Sequence, residues 1–227
     1  MINLPLPKKG FTAVAPSILS ADLLNLGAHI KQAEQAGADW LHIDIMDGHF
    51  VPNLSFGPSV VKYIDGFTKL AQDVHLMVER PQDFIPPFIK AGASALTLHI
   101  ESKGDIKALL KQIKAAGLAC GVSIKPDTNP QKLAPYIDLI DLVLVMTVYP
   151  GFGGQSFLPS SPKQITAVRQ LIKASGRQIW LEVDGGINAQ TVTIAKQAGA
   201  DAFVAGNAVF GQKDLNAAMQ AIRAGLK

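Results

Sequence analysis

Cysteine is almost absent, with only Cys120 among 227 residues. That excludes an internal disulfide framework and any site built from several thiolates, so a metal must be held by histidine and carboxylate, and a reducing compartment is expected. Charge is scarce too, at 17% of residues, below the usual quarter. With 21 Lys+Arg against 18 Asp+Glu, the net charge of +3 is too small and too dispersed for a nucleic-acid surface, and a small anionic ligand suits it better. No apolar run is long enough to span a bilayer, and residues 1–9 lack the ordered basic, apolar and cleavage regions of a signal peptide. A cytoplasmic protein with no membrane and no nucleic-acid partner is therefore expected. Low-complexity sequence is also missing: 20 Gly and 14 Pro lie between apolar runs, and 48% hydrophobic content is enough for one large core.

What the chain does contain is an alternation. Short apolar, β-branched runs predict strands at 12–16, 40–46, 71–77, 95–100, 119–124, 142–148, 178–183 and 202–205. Helical periodicity follows each, at 22–36, 81–91, 103–116, 161–174, 189–198 and 215–223, with shorter helices near 58–64 and 130–136. Eight such steps in 227 residues give about 28 residues each, the size of a βα unit in an eight-stranded barrel. Ala36-Gly37-Ala38, Ala91-Gly92-Ala93 and Ala198-Gly199-Ala200 repeat one ending before a strand, and Gly117 matches them, as expected where helices close in the left-handed conformation. A doubly wound open sheet is the competing architecture, but no Gly-x-Gly-x-x-Gly follows the first strand and no Gly-Lys dipeptide exists for a P-loop. The expected fold is a single α/β domain over 1–227, a (β/α)8 TIM barrel, with its site at the carboxyl ends of the strands.

Polar residues cluster at those ends. In Trp40-Leu41-His42-Ile43-Asp44-Ile45-Met46, a period of two sends His42, Asp44 and Met46 to one face. A buried Asp without a partner costs several kcal/mol, so a counter-charge or hydrogen-bond network must accompany Asp44. The third strand offers His75 and Met77 on a shared face, and the seventh places Asp184 at the rim. Two imidazoles and two carboxylates converging from three strands make a site for one divalent cation: His42, Asp44, His75 and Asp184. His29 reads as a helix-face residue, His49 as a loop residue, and His99 as the end of strand four without ligation. Glycine-rich turns follow three adjacent strands: Tyr149-Pro150-Gly151-Phe152-Gly153-Gly154-Gln155 after the sixth, Gly185-Gly186 after the seventh, and Gly206-Asn207 after the eighth. Such turns let backbone N–H groups approach an anion together, which predicts a phosphate pocket beside the metal. A cation, a phosphate subsite and two carboxylates on one barrel mouth suit proton abstraction next to a carbonyl.

Three motifs are recognisable: Ala15-Pro16-Ser17-Ile18-Leu19-Ser20-Ala21-Asp22, the run from His42 through Asn53, and the 150–155 turn. From about Val14 to Phe210 their order and spacing closely resemble the ribulose-phosphate 3-epimerase family. The resemblance implies that His42, Asp44, His75 and Asp184 are the ligands of one divalent metal ion per subunit, whether zinc, iron(II), manganese or cobalt. It also implies that Asp44 takes the C3 proton from one face of a phosphorylated ketose and Asp184 delivers one to the other, with Ser17 and His75 at the substrate. Met46, Met77 and Met146 match the methionines lining the reaction plane. Gly151, Phe152, Gly153, Gly154, Gly185, Gly186, Gly206 and Asn207 match the phosphate-binding positions. Tyr149 stands where Asn is frequent and Asn207 where Ser is frequent, which puts the packing of the sixth-strand loop in question.

Two rivals share much of this pattern: a 3-epimerase of a six-carbon ketose such as D-allulose 6-phosphate, and a phosphosugar-binding barrel without turnover. The intact Pro-Gly-Phe-Gly-Gly-Gln run favours the pentulose, and the Asp44/Asp184 pair argues against binding alone. Related decarboxylases and aldolases resemble one another in Asp-x-Lys-x-x-Asp on strand three, where this chain reads Asp73-Val74-His75-Leu76-Met77-Val78. Apolar residues around the 50–56 loop and on the outer helices point to a homo-oligomer.

Overall fold

A computed structural model describes residues 4–8 and 10–227; residues 1–3 and 9, part of the segment read above for targeting signals, lie outside the described residues. Eight parallel strands alternate with helices: β1 (Ala13–Pro16), β2 (Trp40–Met46), β3 (Ala71–Met77), β4 (Ala95–His99), β5 (Ala119–Ile124), β6 (Leu142–Met146), β7 (Trp180–Asp184) and β8 (Ala202–Ala205). They pair in the order β1-β8-β7-β6-β5-β4-β3-β2, and a parallel bridge between Ser17 and His42 brings the two ends together. The result is a (β/α)8 TIM barrel. The helices are α1 (Leu26–Gln35), α2 (Pro58–Ile64), α3 (Ile85–Ala91), α4 (Ile106–Ala115), α5 (Ser161–Ser175), α6 (Thr191–Ala198), α7 (Asn207–Phe210) and α8 (Leu215–Ala224). Among the described residues no helix is long and apolar enough to cross a membrane.

Strand periodicity divides the core into two layers. Leu41, Ile43 and Ile45 of β2 face the helices, where they join residues such as Val74, Phe88, Val143 and Phe203. The alternate residues fill the barrel. Its lower half is apolar, with the Trp40 and Trp180 rings edge to face at 5.3 Å and Ala13, Ala71, Ala95 and Ala202 leaving room for them. Its upper half is polar, because the next inward positions are His42, Asp73 and Glu182, and above them Asp44, His75 and Asp184. Phe88 is fully buried in the outer layer, so Phe88→Ala is expected to lower unfolding stability by about 3–5 kcal/mol in urea titration without touching the barrel mouth.

Several boundaries differ from the sequence reading, each for a local reason. The helix expected at 22–36 is broken at its start: the Asp22 carboxylate accepts from the Leu24 N–H, holding Leu23–Asn25 as a 3-10 turn before α1. Asp105 caps α4 through the Ala108 N–H, so that helix begins later than 103. The 130–136 segment is 3-10 rather than α, with Pro135 inside it removing an amide donor that an α-helix would use. β7 runs one residue further than expected and ends on Asp184. The four repeated glycine endings all adopt positive φ, at 83°, 97°, 82° and 116° for Gly37, Gly92, Gly117 and Gly199.

Candidate functional site

The site forms at the carboxyl ends of β2, β3 and β7. His42, Asp44, His75 and Asp184 each offer one ligand atom, and these atoms all lie within 4.8 Å of one another. Asp44 is the hub. Its Oδ2 accepts from the Ser17 hydroxyl at 2.6 Å, while its Oδ1 lies 3.1 Å from His75 Nδ1 and 3.3 Å from His42 Nε2. Asp47, three residues on, serves the loop instead: its carboxylate accepts from the N–H groups of His49, Phe50 and Glu79.

The hydrogen bonding around His42 bears on whether these residues fit a cation. Its Nδ1 sits 2.7 Å from Asp73 Oδ2, a carboxylate that only accepts, so Nδ1 carries the hydrogen. The other nitrogen, Nε2, is buried and makes no hydrogen bond, since its approach to Asp44 is poorly aligned. A buried imidazole nitrogen without a hydrogen-bond partner, beside two carboxylates, suits a cation, which would compete there with a proton. Two nitrogens, two carboxylate oxygens and no sulfur fit a divalent ion of borderline hardness, whose charge two carboxylates balance.

Electrostatics push the two carboxyls in opposite directions. Burial alone raises Asp44, but the neighbouring His42 and His75 outweigh it and hold the group below the usual carboxylate range. Asp184 has no such bonds; burial first, then the charge on Asp44, push it up to about 7. His42 is drawn well above its ordinary value by Asp44 and Asp73 despite burial, whereas burial dominates at His75 and lowers it.

The cavity above these groups measures ≈ 920 Å³. Ser17, Asp44, Met46, Met77, Met146 and Asp184 line its metal end, and Gly151, Phe152, Gly153, Gly154, Gly185, Gly186, Gly206 and Asn207 line the rest. His42 and His75 stand behind Asp44 and do not face the cavity. Gly185 and Gly186 have φ of +120° and +67°, and a Cβ on Gly186 would overlap the Phe157 backbone. The exposed Tyr149 side chain does not organise its loop: the Gln155 amide donates to the Tyr149 and Phe152 carbonyls at 2.7 and 2.8 Å, and Asn53 donates to the Gly151 carbonyl at 2.7 Å.

His29 lies on α1 and His49 in the loop after β2. His99 ends β4 outside the four-ligand set, but its Nε2 reaches His75 Nε2 at 2.9 Å, a contact sequence reading did not anticipate. Nor did it single out Asp73 and Glu182, which form a second buried group with His42, Glu182 accepting from the Trp40 indole at 3.2 Å. The available signal was the period of two, which puts Asp73 on the face of His75 and Glu182 on that of Asp184.

The model of the Ribulose-phosphate 3 epimerase family matches residues 13–210. A ribulose-phosphate 3-epimerase of Bacillus subtilis is 46% identical over 211 residues, covering 92% of this chain and 97% of the relative. A chloroplastic ribulose-5-phosphate-3-epimerase of Arabidopsis thaliana is 45% identical over 213 residues, covering 93% and 76%. Among solved structures, a 3-hexulose-6-phosphate synthase superposes with a TM-score of 0.68 at 19% identity over 95% of this chain and 99% of that one, a likeness of fold.

Proposed function

The chain belongs to the ribulose-phosphate 3-epimerase family, and we propose that it is an isomerase interconverting D-ribulose 5-phosphate and D-xylulose 5-phosphate by removing a proton from one face of C3 and adding one to the other. The observation that carries the mechanism is that Asp44 and Asp184, from β2 and β7, both line the cavity and offer oxygens within 4.8 Å of one another, in surroundings that lower the one carboxyl and raise the other. Groups whose surroundings separate their pKa values in this way divide into base and acid. Asp44 takes the C3 proton, and Asp184 returns one to the opposite face; in the reverse direction the roles exchange.

The remaining residues orient and shield. Ser17 donates to Asp44 Oδ2 and fixes the lone pairs available to the substrate. Met46, Met77 and Met146 are buried apolar walls that keep water from the reacting carbon. His42, Asp44, His75 and Asp184 hold one divalent ion per subunit, which when bound acts as a Lewis acid toward the oxygens beside C3. The donor set accepts zinc, iron(II), manganese or cobalt. Gly151 to Gly154, Gly185, Gly186, Gly206 and Asn207 receive the phosphate. Gly186→Ala, strained at φ +67° and crowded against Phe157, is expected to raise KM for ribulose 5-phosphate by about tenfold or more. An unchanged KM in steady-state kinetics removes Gly186 from the phosphate subsite.

Exposed Leu54 and Tyr63 support a homo-oligomer, checked by light scattering on the purified protein. The single buried cysteine supports a cytoplasmic location. The substrate assignment is tested by turnover of ribulose 5-phosphate against allulose 6-phosphate. Faster turnover of the pentulose is expected, and the reverse order contradicts the reading; no turnover of either by metal-loaded protein favours a binding barrel.

A further inference from the structure

We infer that Glu101 acts through His99 as a positioning residue that selects which nitrogen His75 presents to the cation. The inference rests on the metal reading above and adds a residue pair outside the four-ligand set.

Hydrogens can be placed one after another along a chain of contacts from Glu101 to Asp44. Glu101, in the loop after β4, accepts at Oε1 from the Lys125 N–H at 2.9 Å and from the Thr128 hydroxyl. Its Oε2 lies 3.1 Å from His99 Nδ1. A carboxylate held by donors at one oxygen is an acceptor at the other, so His99 Nδ1 carries its ring's hydrogen. In a neutral imidazole the second nitrogen is then bare, and His99 Nε2 faces His75 Nε2 at 2.9 Å. Only one member of that nitrogen pair can donate, and it must be His75. The His75 hydrogen therefore sits on Nε2, which leaves Nδ1 as a lone pair 3.1 Å from Asp44 Oδ1, aimed where the cation belongs.

The alternative tautomer shows what the chain prevents. With its hydrogen on Nδ1, His75 would donate to Asp44 and close the site with a hydrogen bond. His99 is well placed to impose the choice, since its ring is fully buried and packs between Phe50 at 4.7 Å and His75 at 5.0 Å. The two ligand histidines are thus oriented differently: His42 by a carboxylate in direct contact, His75 by a carboxylate one imidazole away.

The test reads the tautomer directly and the metal separately. Two-bond proton–nitrogen correlations of the full-length, zinc-free protein are expected to show the His75 hydrogen on Nε2, and Glu101→Leu is expected to redistribute it toward Nδ1. Chelator competition is expected to show zinc affinity falling about 10–100-fold in Glu101→Leu and in His99→Phe, with recovery in Glu101→Gln and His99→Gln, whose amide oxygens still accept. A His75 hydrogen on Nδ1 in the parent protein, or one that stays on Nε2 in both Glu101→Leu and His99→Phe, overturns the inference. So does unaltered zinc affinity in both variants. If the parent protein fails to bind zinc while the tautomer responds as stated, the relay stands and the metal reading falls.

Discussion

Removing the divalent ion with a chelator is expected to stop turnover of ribulose 5-phosphate and lower the thermal midpoint, and adding the ion back restores both. The reason lies in the charges it leaves behind. Asp44 and Asp184 offer oxygens within 4.8 Å of one another, and without a cation burial and the charge on Asp44 favour a proton on Asp184. That proton blocks the lone pair which Asp184 needs to act as a base in the reverse reaction. An ion present at 100 times its Kd stabilises the folded state by about 2.7 kcal/mol. For a chain of this length that is a midpoint shift of about 5–11 °C. Turnover that continues in protein shown by elemental analysis to be metal-free contradicts the expectation.

Asp44→Asn and Asp184→Asn are each expected to lower kcat by about 10²–10⁴-fold or more while leaving a folded barrel. Asparagine keeps the shape and one oxygen ligand but can neither take nor give the proton. The two losses have different origins. At position 44 the change removes a carboxylate that lies below the usual range beside His42 and His75 and is aimed by the Ser17 hydroxyl. At position 184 it removes the carboxyl that faces the cavity from β7, across from Asp44 on β2. Circular dichroism and metal content separate lost chemistry from lost structure, and a kcat within tenfold of the parent in either metal-loaded variant excludes that residue as an acid–base group.

Much of the barrel can be read in the chain because each strand repeats a two-residue alternation. In β2, outward Leu41, Ile43 and Ile45 and inward His42 and Asp44 are separable by parity alone, and the same parity distinguishes Asp44 from the loop-binding Asp47. The glycine endings are legible for a steric reason, since left-handed closures exclude most side chains. Helix starts are less so, because whether Asp22 or Asp105 turns its carboxylate to a particular N–H depends on the local path of the chain. The supporting polar groups are hardest to read. Glu182 meets Trp40 across 142 residues, and Glu101 acts on His75 only through His99, so no local spacing announces either partnership. Period two put Trp40, Glu182, His75 and His99 inside the barrel; barrel closure decided whom they touch.

Inversion at C3 by two carboxyls on opposite faces is tested most directly by deuterium exchange. In deuterated water, each metal-loaded Asn variant is offered ribulose 5-phosphate and xylulose 5-phosphate separately, and deuterium at C3 is followed by NMR. One remaining base can exchange the proton of one epimer without completing inversion. The expected result is that Asp184→Asn labels ribulose 5-phosphate alone, Asp44→Asn labels xylulose 5-phosphate alone, and neither interconverts them. Labelling of the same epimer by both variants, or interconversion by either at the parent rate, contradicts the two-face account.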